Sequence, residues 1–222
     1  MNGAADGAAD GAADGAADCA AGGVPARRFR VTVYASSSER IPAHYAQAAE
    51  ALGRAIATAG FDLVWGGGRF GLMGAVSRGA RLAGGRTIGV ILQDFVDKNV
   101  QCEQAHEMAT VADMRSRKRG LDEAGDAYVA LPGGLGTFEE LFEMLSFKAL
   151  GFHRKPVVVF DVAGYWQPML AMLEKAYAEG FVQPHFRGLY TVAACVEDVI
   201  GQIRSTPPWQ LPPRDPRGGA TG

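Results

Sequence analysis

The chain is 222 residues long, 48% hydrophobic and 21% charged, with a formal net charge of −2, 30 glycines and three cysteines. That length suits one domain with tails, and the balanced charge excludes the basic footprint that nucleic acid or an anionic membrane surface would favour. The apolar fraction excludes a wholly disordered chain, while no uninterrupted apolar stretch approaches the ~20 residues of a membrane-spanning helix, so a soluble protein is expected.

In chain order, Gly3 to Asp18 is a four-fold Gly-Ala-Ala-Asp repeat. Glycine at every fourth position costs a helix about 1 kcal/mol each, and no large apolar side chain docks the segment, so residues 1–25 are expected to be a disordered low-complexity tail. The tail lacks the basic start and apolar middle of a signal peptide, and the arginines of a transit sequence. Residues 26–204 then alternate short β-branched or aromatic runs with segments of helical period, the pattern of a parallel sheet built from βαβ units. The strands are expected at Phe29–Ala35, Asp62–Trp65, Thr87–Leu92, Ala127–Leu131 and Val157–Phe160. Helices are expected at Pro42–Ala59, Leu72–Ala83, Asp113–Glu123, Phe138–Leu150, Tyr165–Glu179 and near Glu197–Arg204, with Gly60 as an αL cap. The fold class is α/β, a Rossmann-like three-layer sandwich with a mainly parallel sheet. Residues 205–222, rich in proline and glycine, read as a second flexible tail.

Cys19, Cys102 and Cys195 are odd in number and far apart, without the close pairings of metal or redox sites, so reduced thiols in a cytoplasmic protein are expected. His44, His106, His153 and His185 never fall at the short spacing of a helical zinc site. No metal and no cofactor are expected.

Ligands of such sheets bind beyond the carboxyl ends of the strands, so the loops there carry the interest. Gly66, Gly68 and Gly71 match G-x-G-x-x-G between a strand and a helix, where bare backbone and free helix N–H groups suit a phosphate. Against a dinucleotide site, the motif follows the second strand, and Asp94 comes too late to be the acidic residue expected ~20 residues on. A nucleotide or sugar phosphate contact, a purely structural turn and dinucleotide binding all stay open. The second loop, Leu131-Pro132-Gly133-Gly134-Leu135-Gly136-Thr137, is the strongest signal: a glycine cradle, a hydroxyl and a helix start converge on one anion. No lysine precedes Thr137, so a monophosphate suits it better than a triphosphate. Thr137-x-x-Glu140 also reads as a capping box. The third element, Met114-Arg115-Ser116-Arg117-Lys118-Arg119, is either a solvated helix face or the source of a fixed cation at the strand ends.

Taken together, Gly66-Gly67-Gly68-x-x-Gly71-Leu72-Met73-Gly74, Met114-x-x-Arg117-Lys118 and Pro132-Gly133-Gly134-x-Gly136-Thr137-x-x-Glu140 resemble the LOG ("lonely guy") family of cytokinin-activating enzymes. The likeness runs from Val31 through Val199 and includes Leu150-Gly151-x-x-x-Lys155-Pro156, Gly164-Tyr165 and Glu179-Gly180-Phe181. It implies a Rossmann-like phosphoribohydrolase, usually a homodimer with active sites near the interface, that cleaves an adenine-type nucleoside 5′-monophosphate to free base and ribose 5-phosphate. Older descriptions of the family as lysine decarboxylases exist, yet nothing in this sequence suggests a pyridoxal phosphate enzyme.

The resemblance places the catalytic pair on Arg117 and Glu140. It places substrate binding on Lys118, Gly133, Gly134, Leu135, Gly136, Thr137 and Glu139, with Glu107 in His106-Glu107-Met108 holding the nucleotide and Ser146 standing where plant members have threonine. Nucleotide contacts are also expected at Ser36, Ser37, Gly67, Gly68, Gly71 and Met73. Two departures bear on the choice of base: Arg115 and Ser116 replace the family's histidine and glutamate, and Ala35-Ser36-Ser37 replaces Gly-Ser-Ser.

The chemistry agrees with the residue types. Breaking a ribosyl C–N bond builds positive charge on the sugar and negative charge on the base, which asks for a carboxylate at one side and a cation at the other. Glu140 would stabilise the oxocarbenium-like ribose and orient or deprotonate water, while Arg117 would fix the substrate or the departing charge. A non-catalytic nucleotide sensor or carrier is the alternative from another class, and a dinucleotide-dependent redox enzyme a third.

Overall fold

The computed structural model describes residues 27–211, so the expected Gly-Ala-Ala-Asp tail at 1–25 and the end of the Pro/Gly-rich tail lie outside the described residues. Seven strands form one sheet: β1 (Arg30–Tyr34), β2 (Asp62–Trp65), β3 (Thr87–Leu92), β4 (Glu107–Val111), β5 (Ala127–Ala130), β6 (Val157–Phe160) and β7 (Thr191–Ala193). Between and after them run α1 (Ala43–Thr58), α2 (Gly71–Leu82), α3 (Gln93–Asp97), α4 (Met114–Ala124), α5 (Leu135–Ala149), α6 (Gln167–Ala178) and α7 (Val196–Ser205). Among the described residues no helix is long and apolar enough to cross a membrane.

The sheet order is β4-β3-β2-β1-β5-β6-β7 and every pairing is parallel. The chain therefore moves outward from β1 to one edge, returns as β5 on the other side of β1, and moves outward again. Beyond the carboxyl ends of β1 and β5 the crossover helices leave on opposite faces, and this opens the crevice in which such folds bind ligands. Side chains alternate across the central strands. Val31, Val33, Leu63, Trp65, Val158 and Phe160 pack with α1, α2 and α7, while Tyr34, Val64, Tyr128, Val157 and Val159 pack with α4, α5 and α6. Burial on both faces is why these strands read as continuous apolar runs. The helices α1 and α2 approach until a Cβ on Gly53 would stand 2.0 Å from the Val76 carbonyl oxygen.

The five strands expected from sequence are present within a residue or two at each end, and Gly60 caps α1 with φ +83° as expected. Two strands and one helix were not expected. Strand β4 lies at an edge with no fully buried residue, and β7 is three residues long, so neither carries an apolar signature; α3 is a five-residue turn of helix. Pro42 precedes α1 as its cap residue rather than sitting inside it. Of the segment expected as a tail, Ser205 completes α7, and Trp209 packs on the α4–α6 side of the core and donates its backbone N–H to the Arg154 carbonyl at 3.1 Å.

Candidate active site

A cleft of about 390 Å³ opens at the carboxyl ends of β1, β2 and β5. Its floor is Arg117. Asp113 caps α4, accepting from the Ser116 N–H at 2.9 Å and from the Ser116 hydroxyl at 2.6 Å, and so fixes the first turn. Ser116, a departure from the family pattern, thus has a structural task. One turn on, Arg117 is buried with 6% of its surface exposed. Its guanidinium donates from Nε to the Val90 carbonyl at 3.1 Å, from Nη2 to the Gly66 carbonyl at 3.2 Å, and from Nη1 to Oε1 of Glu140 at 3.4 Å. Burial pushes the Glu140 carboxyl up to about 7, against the opposing pull of Arg117. A carboxylate poised near neutrality beside a fixed cation is a pair equipped for acid–base and electrostatic work.

Of the readings left open for the glycine loop after β2, its packing accords with a structural turn. The α2 N-terminal N–H groups are not free for a phosphate: Leu72 and Met73 both donate to the Ser36 carbonyl, at 2.9 and 3.2 Å. Gly71, with φ +57°, lets that loop come so close that a Cβ would meet Ser37 and Ser38 backbone at 2.6 Å. A Cβ on Gly66 would stand 2.1 Å from Nη2 of Arg117. These glycines make room for protein, and Gly67, Gly68 and Gly71 do not line the cleft.

The loop after β5 is open. Helix α5 begins at Leu135 with Gly134 as cap residue, so Thr137 lies inside the first turn and the expected capping box is not formed; Glu140 turns to Arg117 instead. The correction has a physical reason: without side chains at 133 and 134 the chain enters the helix three residues early, and a Cβ on Gly133 would stand 2.1 Å from the Thr137 hydroxyl. Gly134, Leu135, Gly136 and Thr137 all line the cleft, and the N–H groups of a first helical turn have no intrahelical acceptor.

Of the other expected residues, Ser36, Ser37, Met73 and Glu139 line the cleft. Lys118 does not; it bridges α4 to α5 by donating to Glu139 at 2.8 Å and Glu143 at 3.1 Å, and the bond to Glu139 raises its pKa. Glu107 lies on the edge strand β4 and pairs with Arg86, and Ser146 is exposed on α5; neither lines the cleft of the single chain. Sequence reasoning missed Tyr34, Phe95 and Met114, which do line it. Tyr34 was findable as the last residue of the central strand; Phe95 sits on the unexpected α3. Burial, and after it the Glu140 charge, push the Tyr34 phenol well above its ordinary pKa, so it stays a donor. Among the described residues, no lysine lines the cleft.

Comparison with known proteins bears on the family and the fold. A family model described as "Possible lysine decarboxylase" matches residues 73–203. A cytokinin riboside 5′-monophosphate phosphoribohydrolase of Rhodococcoides fascians is 42% identical over 179 residues, 79% of this chain and 89% of the relative. One from Arabidopsis thaliana is 37% identical over 185 residues, 83% of this chain and 81% of the relative. The chain belongs to the LOG family. Among solved structures, the molybdenum cofactor carrier protein of Chlamydomonas reinhardtii superposes with a TM-score of 0.63 at 24% identity, over 81% of this chain and 98% of that one. At that identity the likeness shows the Rossmann-like fold alone.

Proposed function

We propose that the protein hydrolyses the N-glycosidic bond of adenine-type nucleoside 5′-monophosphates, cytokinin riboside monophosphates or AMP, to free base and ribose 5-phosphate. The observation that carries the reading is the buried Arg117–Glu140 pair at the floor of a cleft whose rim is the unspent N-terminus of α5. In this reading the 5′-phosphate sits on the amides of Gly134 to Thr137, where the helix end favours an anion. Remote phosphate binding then positions the scissile bond. The electron pair of the C–N bond leaves with the base, which takes a proton from solvent. Water adds to the anomeric carbon and gives its proton to Glu140, while Arg117 holds Glu140 in place and balances charge at the floor. The reading includes a homodimer, the assembly that the family resemblance implies.

The test is chromatographic: purified protein is incubated with AMP and, separately, with isopentenyladenosine 5′-monophosphate, and free base is quantified against Glu140→Gln and Arg117→Ala. Base released by the wild type and lost in both variants is the expected result, and the ratio of the two rates defines base preference. Saturable nucleotide binding without base release would overturn the hydrolase and leave a nucleotide-binding protein.

A further inference from the structure

The Tyr165 phenol donates to the carbonyl oxygen of Gly133, across 32 residues of sequence. Tyr165 lies in the turn between β6 and α6, outside the cleft lining, with its ring edge-on to Tyr45 of α1 at 6.0 Å and to Trp166 at 5.3 Å. Its hydroxyl is therefore held in place by packing before any ligand arrives. The acceptor belongs to the peptide that joins Gly133 to Gly134. A trans peptide is planar and carries its C=O and its N–H on opposite sides. Anchoring the Gly133 oxygen on Tyr165 thus commits the Gly134 N–H to the other side, and Gly134 lines the cleft.

This peptide needs an anchor more than any other in the loop. It is flanked by two glycines, which resist rotation of the plane least. A Cβ on Gly134 would meet nothing within 4 Å, so no neighbour blocks a turn of the plane on that side. With the plane turned over, a carbonyl oxygen would face the anion in place of an N–H, replacing an attraction by a repulsion.

We propose that Tyr165 is a positioning residue that latches the Gly133–Gly134 peptide in its anion-binding orientation, and through it sets affinity for the 5′-phosphate. The inference rests on the phosphate-binding part of the function proposed above. Tyr165 touches neither the substrate nor the reacting atoms, so its effect falls on ligands that carry the phosphate.

The experiment compares wild type with Tyr165→Phe, which keeps the ring and removes only the hydroxyl. Calorimetric titration with ribose 5-phosphate is expected to show affinity weakened about tenfold, the scale of one hydrogen bond to an anion lost. KM for AMP rises by a similar factor with kcat little changed, and turnover or binding of adenosine, which has no phosphate, is unaltered. Equal affinity of both proteins for ribose 5-phosphate, or equal loss toward adenosine, overturns the inference. A measurement on the wild type alone guards against a variant that fails to fold: the Gly134 amide resonance should move on addition of ribose 5-phosphate, and an unresponsive amide overturns the inference. The two proposals fail separately. Ribose 5-phosphate binding that depends on Tyr165 without base release from any nucleotide overturns the hydrolase alone; base release with an unchanged KM for AMP in Tyr165→Phe overturns the latch alone.

Discussion

The two glycine-rich loops look alike in sequence and do opposite work. Each joins a strand to a helix at the same end of the sheet. In the loop after β2 the glycines are bare because protein presses on them: Arg117 against Gly66, the Ser36–Ser38 backbone against Gly71, Ile91 and Met108 against Gly67. The helix that follows spends its first N–H groups on the Ser36 carbonyl. In the loop after β5, Gly134 and Gly136 face open space, and the helix start borders the cleft. A glycine motif states that something approaches the backbone. Whether that something is protein or ligand depends on which atoms the rest of the fold has already put there.

Arg117 joins the two loops, so removing it tests both at once. Arg117→Ala leaves the Gly66 and Val90 carbonyls without a donor and Glu140 buried without a cation. Breaking a buried pair from one side costs on the order of 3 kcal/mol, and loss of such a charge from a site lowers turnover ~10³-fold. Denaturant titration and base-release kinetics read the two effects. Full activity in this variant would disconnect the first loop from the chemistry.

Only the second loop leads to a group that titrates near neutrality. Because burial raises Glu140 from 4.5 to about 7, its carboxylate form is lost below pH 7, and kcat/KM should fall about tenfold per pH unit on that side. The sign for stability is opposite. A carboxyl whose folded pKa lies above its unfolded value favours the fold fully below pH 4.5, and that contribution is lost as pH rises through 7. Activity and melting temperature are therefore expected to move in opposite directions across this window. Glu140→Gln, in which base release is lost, should also lose this pH dependence of Tm. Parallel profiles of kcat/KM and Tm would show that another group controls the rate.

The next test adds one methyl group to each loop. In Gly66→Ala the new Cβ collides with the Arg117 guanidinium, which has to shift, so kcat is expected to fall about 30-fold, part of the loss of Arg117 itself. Gly136→Ala meets no neighbour and improves helix propensity, so the fold gains up to about 1 kcal/mol while KM rises as the methyl enters the cleft. Similar kinetics for the two variants would mean that the loops are equivalent after all.

Much of this was legible in the sequence. The β1, β2, β3, β5 and β6 strands are apolar on both faces and announce themselves; the β5 loop stood out by residue type and order, whereas Arg117 and Glu140 were singled out only by the family resemblance. Strand β4 did not, since an edge strand lacks the buried run that marks a central one, and with it went the place of Glu107. Nor did the use of the first glycine loop, because the Ser36 carbonyl that occupies the α2 N-terminus comes from a loop more than 30 residues earlier. The anchoring of Gly133 by Tyr165 is likewise a contact between distant segments, set by how β6 pairs with β5.

The smallest expected effect separates a residue that caps a helix from one that only resembles a cap. By local pattern Asp113-x-x-Ser116 and Thr137-x-x-Glu140 are both good helix starts. In the fold Asp113 accepts two hydrogen bonds from Ser116, whereas Thr137 is the third residue of α5 and Glu140 belongs to Arg117. Asp113→Ala therefore should lower Tm by a few degrees and leave KM alone, because the lost bonds hold α4 and not the ligand. Thr137→Val, of the same shape, should leave Tm nearly unchanged and raise KM, because Thr137 lines the cleft and caps nothing. The reverse assignment, Tm lost at Thr137 with KM intact, would restore the capping box and take the hydroxyl out of the binding site.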